Sequence, residues 1–283
     1  MVEQQADSRG VELREGGLAM ERGSILGRYP ERMFLVLTVG LSVLVFMVPA
    51  PDEGTLLGLL LIATILPTAV AIALEWLLGG RAGAGRFIRQ CFAWRSPLLW
   101  YVIAVVLAFV IQLGSSILAL ATGAISSLQL QAPVAVVVVF ILFALLEEIG
   151  WRGFALRRLL LRTPPFVAAL VVGIGWAAVH FALALFTLED ISPIAEAASI
   201  LAFSFPLTWV FARSGGSVIV ATVMHFVFNA SGSAVGPSPV IGEGDGIWYL
   251  AASMVIGAVL IVVADRRWWF GAPAPAPVLA PAA

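Results

Sequence analysis

The chain has no lysine, only two histidines, a single cysteine and few charges for its length. Sixteen basic and 17 acidic residues in 283 make charged side chains only 12% of the sequence, where a water-soluble domain carries about a quarter. That deficit excludes an ordinary soluble enzyme. The lone Cys91 excludes an internal disulfide. It falls beside Phe92 and Trp94 in a polar connection, where an idle thiol is expected rather than a palmitoylation site. Neither HExxH nor CxxC occurs, and no internal repeat is visible.

What is present is apolar sequence. The chain is 61% hydrophobic with a mean hydropathy of +1.02. Spanning a bilayer takes about 20 apolar residues, and eight segments qualify or nearly do: 33–50, 55–79, 98–122, 132–151, 166–187, 192–212, 217–235 and 246–264. The expected fold is therefore all-α, a polytopic membrane protein of eight transmembrane helices. Residues 1–32 read as a polar cytoplasmic segment with no cleavable signal peptide, 33–265 as the membrane domain, and 266–283 as a disordered Ala/Pro-rich cytoplasmic tail.

Arginine sets the expected topology. Five Arg precede the first segment, four (Arg81, Arg86, Arg89, Arg95) follow the second and four (Arg152, Arg157, Arg158, Arg162) follow the fourth. Arg213 precedes the seventh segment, and Arg266 with Arg267 follows the eighth. The alternate loops hold no basic residue but carry Asp52, Glu53, Glu189, Asp190, Glu243 and Asp245. The positive-inside rule then puts both termini in the cytoplasm of a multi-pass cell-membrane protein. All tryptophans but Trp176 sit near segment ends, where amphipathic rings collect.

The polar residues inside this apolar sequence stand out. Glu147 and Glu148 close the apolar run 133–146, and Arg152 follows four residues after Glu148. One ionisable group at mid-bilayer costs about 2.5–3.5 kcal/mol even on the lenient scale, so two together call for a reason. Successive helical residues point about 100° apart. Arg152, favourably spaced from Glu148, is expected to hold that carboxylate, leaving Glu147 free as general base or acid. Gly150 and Gly153 thin the same helix so that a neighbour or a substrate can approach. His225 and Asn229 share a face of the seventh segment and suit an oxyanion site. His180 lies on the fifth segment, one turn after Trp176. Glu75 and Glu196 fall near segment ends within reach of interfacial water and carry no expected role. Gln112 is expected to be an interhelical hydrogen bonder. Depth is the one discord: His180 falls about 20 Å above the cytoplasmic face and Glu147 only about 8–10 Å. Either the fifth helix begins later or the fourth is shifted inward.

Together, Glu147-Glu148-xxx-Arg152, Trp176-xxx-His180 and His225-xxx-Asn229 resemble the CPBP family of intramembrane proteases, which includes type II CaaX prenyl endopeptidases and the bacteriocin-processing and immunity (Abi) proteins. The resemblance covers roughly residues 132–235. Trp176 replaces the usual Phe of the second motif. The resemblance implies that Glu147 with His180 activates water, that Glu148 pairs with Arg152, and that His225 with Asn229 stabilises the oxyanion. The family's metallopeptidase label implies zinc, for which His180, His225 and Glu147 are the candidate ligands; a metal-free, glutamate-activated water uses the same residues. Expected partners are a membrane-associated protein or peptide substrate and the lipid bilayer, with no nucleic acid. Two alternatives from other classes stand beside the peptidase. One is a non-catalytic membrane scaffold or immunity protein. The other is a proton-coupled transporter relaying through the Glu/His cluster, against which stands the lack of an inverted repeat.

Overall fold

The computed structural model describes residues 25–127, 129–130, 134–188, 191–236 and 246–273. Most of the polar N-terminal segment, the Ala/Pro tail from 274, and the loop acids Glu189, Asp190, Glu243 and Asp245 lie outside the described residues. The described chain is almost entirely helical. In chain order come α1 (Ile25–Arg28), α2 (Pro30–Phe46), α3 (Glu53–Cys91), α4 (Leu98–Ala121), β1 (Gln129–Leu130), α5 (Val134–Glu148), a π-helix (Ile149–Leu156), α6 (Arg157–Leu160), α7 (Pro165–Thr187), α8 (Pro193–Arg213), α9 (Val218–Ala234), β2 (Val235–Gly236), α10 (Gly246–Ala264) and α11 (Arg266–Trp269). The strands form one two-residue antiparallel ladder, β1 against β2.

Helices α3, α4, α7, α8 and α10 are long and apolar enough to cross a membrane. The other three apolar segments carry α2, α5 and α9, of 17, 15 and 17 residues. The molecule is thus an all-helical membrane protein with apolar side chains such as Val36, Leu44, Val106 and Leu260 facing outward.

Two boundaries differ from the sequence reading. Helical structure in α3 runs on past residue 79, through a kink at Gly79 and Gly80. Gly80 takes φ 59°, a left-handed geometry that favours glycine. The second difference matters more. The fourth segment continues as helix through the π-turn and α6 to Leu160, so Glu147 and Glu148 sit in its middle and not at its end. Of the depth alternatives, the fourth helix is the one displaced. Arg152 and Trp151, expected at or beyond the segment's end, are accordingly buried within the bundle.

Small residues let the helices close. A Cβ on Gly150 would stand 2.5 Å from the Pro67 backbone of α3, and one on Gly173 would stand 2.8 Å from Leu201 of α8. Ser204 donates to the Ala169 carbonyl (2.9 Å) and Ser253 to the Ile111 carbonyl (2.6 Å), joining α7 to α8 and α4 to α10. The Arg-rich connections meet one another. Arg157 donates to the Gly216 carbonyl (2.6 Å), Arg162 to Glu31 and the Arg28 carbonyl (both 2.8 Å), and Arg213 Nε to Asp265 (3.1 Å).

Candidate active site

The polar centre is built where the α-helix loosens into π. The eight-residue π-helix starts immediately after Glu148. Its hydrogen bonds run one residue further along the chain, as in Arg157 N–H to the Arg152 carbonyl, a distortion often found at functional sites. Thr68 of α3 donates to the Leu146 carbonyl, fastening the turn before the two glutamates.

Glu148 and Arg152 are both fully buried and paired at 2.8 Å. The same Glu148 oxygen, Oε1, lies 2.9 Å from Nδ1 of His225. The partnership expected from spacing is present, but Glu148 also holds a histidine that the sequence had left unattached. The Arg152 guanidinium lies over the Trp176 ring at 4.2 Å, and its Nε and Nη2 have no hydrogen-bond partner among the described residues. The indole face thus takes part of the charge.

Trp176 does more than support His180. Its Nε1–H donates to Oε2 of Glu147 at 2.9 Å, and its ring meets His180 and His225 edge-on, with centroids 5.7 and 5.3 Å away. One indole therefore orients the free carboxylate, faces the guanidinium and lies against both imidazoles. Its depth, away from the segment ends where the other tryptophans fall, was the available signal in the sequence.

Glu147, His180, His225 and Asn229 line one cavity of about 320 Å³, together with Trp151, Glu196 and Gln112. Most of the remaining wall is apolar, including Phe46, Phe140, Phe143 and Met254. The four motif residues come from α5, α7 and α9, so only the tertiary packing joins them.

Three expectations about neighbours change. His180 has Nδ1 2.7 Å from Oε1 of Glu196, so its hydrogen-bonded partner is a residue expected to be idle. Glu75 likewise pairs with Arg158. Gln112, expected to bond between helices, is fully buried, and neither amide atom is hydrogen-bonded among the described residues.

The candidate zinc set does not fit. Among the described residues, no three His, Cys, Asp or Glu side chains are grouped as a metal ion requires.

Residues 129–231 match the family model described as type II CAAX prenyl endopeptidase Rce1-like. CAAX prenyl protease 2 of Methanococcus maripaludis is 31% identical to the chain over 105 residues, which are 34% of this chain and 39% of that relative. The chain therefore matches well under half the length of that curated relative. Residues 129–231 contain all three motifs, Glu147 through Asn229, in agreement with the resemblance that those motifs carry.

Proposed function

We propose that the chain is an intramembrane endopeptidase that hydrolyses a peptide bond in a membrane-associated protein or peptide. The observation that carries this reading is the convergence of Glu147, His180, His225 and Asn229 on one largely apolar cavity. Water entering beside Glu147 adds to the scissile carbonyl carbon as its proton passes to that carboxylate. The carbonyl oxygen becomes an oxyanion, and Asn229 and His225 are its donors. With Nδ1 turned to Glu148, His225 donates from Nε2 only when the ring carries both protons. The carbon–nitrogen bond then breaks as Glu147 returns the proton to the leaving nitrogen. His180 helps to orient the attacking water.

The substrate class we favour is a CAAX-type segment, on the strength of the Rce1-like match over the motif region; bacteriocin-processing substrates are the other member of the class. The reading includes eight spans, with α2, the continuous helix from α5 through α6, and α9 joining the five long helices, and with both termini in the cytoplasm. A prenylated CAAX peptide and its unprenylated twin, incubated with purified chain in nanodiscs and followed by mass spectrometry, test the proposal. The expected result is cleavage within the CAAX segment, unaffected by chelator. Failure to cleave either peptide, or a panel of membrane-bound peptides, would move the chain to the scaffold class.

A further inference from the structure

The geometry points to Glu196 as the positioning residue of His180; its kinetic consequence rests on the peptidase reading above, while its structural consequence does not. Oε1 of Glu196 lies 2.7 Å from Nδ1 of His180, and both side chains line the cavity. An ionised carboxylate only accepts hydrogen bonds, so the proton between them belongs to the imidazole. Nδ1 is thereby committed, and Nε2 is the nitrogen left to serve the cavity. This is the arrangement by which a carboxylate fixes the tautomer and orientation of a working histidine.

Local structure keeps Glu196 in that role. Ser192 caps α8, accepting from the Ala195 N–H at 3.4 Å, and Pro193 opens the helix. Glu196 therefore lies in the first turn, where the exposed N–H groups of a helix favour negative charge. The imidazole is also held on a second side, at 88° to the Trp176 ring. The pair is not a solvated interfacial contact. The side chains of His180 and Glu196 are only 22% and 15% exposed.

A symmetry of roles emerges. Each cavity histidine has a carboxylate behind Nδ1: Glu148 for His225 and Glu196 for His180. Glu147, hydrogen-bonded to Trp176, has no histidine behind which to stand and is left to meet the substrate. Three carboxylates thus divide into two that position imidazoles and one that takes the proton.

The chain's two histidines make the test direct. Protein labelled with [15N]histidine is placed in nanodiscs, and its ring nitrogens are assigned by comparison with His225→Gln. In the parent protein His180 should show a protonated Nδ1. Glu196→Ala should shift the His180 signals while those of His225 stay in place. With a cleavable peptide, kcat should fall about 10- to 100-fold at a KM within about twofold of the parent. Glu196→Gln, which keeps an acceptor oxygen, should recover part of that loss; it carries the same measurements if the Ala variant does not fold. Unchanged His180 signals in Glu196→Ala would overturn the inference, as would shifted signals with an unchanged kcat. A parent protein that cleaves no peptide counts against the peptidase reading alone, and the His180 signals then decide the role of Glu196.

Discussion

Nδ1 of His225 lies 2.9 Å from the Glu148 oxygen that also accepts from Arg152 at 2.8 Å. One buried carboxylate oxygen therefore serves a charge and a candidate oxyanion donor together. The two services can be separated. Glu148→Gln leaves the Arg152 charge buried and uncompensated, which should lower stability by about 3–5 kcal/mol. Adding Arg152→Met removes the stranded charge and should restore much of that stability. It should not fully restore kcat, because a neutral amide stands behind Nδ1 of His225 in place of the carboxylate. Thermal unfolding and peptide turnover on the single and double variants check both halves.

Trp176→Phe tests the hydrogen bond to Glu147. The substitution keeps an aromatic body beneath His180 but removes the Nε1–H that lies 2.9 Å from Oε2 of Glu147. Hydrogen bonds to charged groups are worth about 1.5–3 kcal/mol. The expected outcome is a fall in kcat of about tenfold or more with little change in KM. A variant with parental kcat would show that Glu147 is held by other means.

Gly153 is needed for packing. A Cβ there would stand 2.9 Å from Sγ of Cys91 and 3.3 Å from Val218. Gly153→Ala should cost about 1–3 kcal/mol of stability through overpacking. Cys91→Ala in the same chain removes the closer obstacle and should return part of that loss, a positive coupling that unfolding measurements on all four proteins would reveal.

Cys91 itself should be inert. Its side chain is buried, out of reach of solvent and of reagents. Because a reagent must reach the thiolate, at pH 7–8 the folded protein should resist maleimide and label only after denaturation. Single cysteines introduced at either terminus could then report topology without replacing Cys91. A terminus labelled from outside the cell would reverse the orientation of the site.

How much of this was legible in the sequence depends on what each residue had to contradict. Glu147, Glu148, His180 and His225 were visible as candidates because each interrupts apolar sequence, where an unpaired polar group is costly. The long helices were visible for the complementary reason. Glu196 was not, because it falls near a segment end, where interfacial water can solvate a carboxylate; its meeting with His180 depends on how α8 packs against α7. The continuation through Leu160 was hidden because the apolar pattern stops at the glutamates while the backbone goes on as a π-helix. Four arginines consequently read as a loop. Arg152 and Arg157 are in fact buried, one paired with Glu148 and the other with the Gly216 carbonyl.

In the proposed reaction Glu147 accepts the proton of the attacking water. Glu147→Gln preserves size and leaves an oxygen for the Trp176 N–H, but it cannot take a proton. Single-turnover cleavage of one peptide by parent and variant, reconstituted at equal folded concentration in nanodiscs, measures that step most directly. The expected result is a loss of about 10²–10⁴ in the cleavage rate with peptide binding unchanged. A variant that cleaves within about threefold of the parent rate, far less than the loss of general-base catalysis requires, would contradict it.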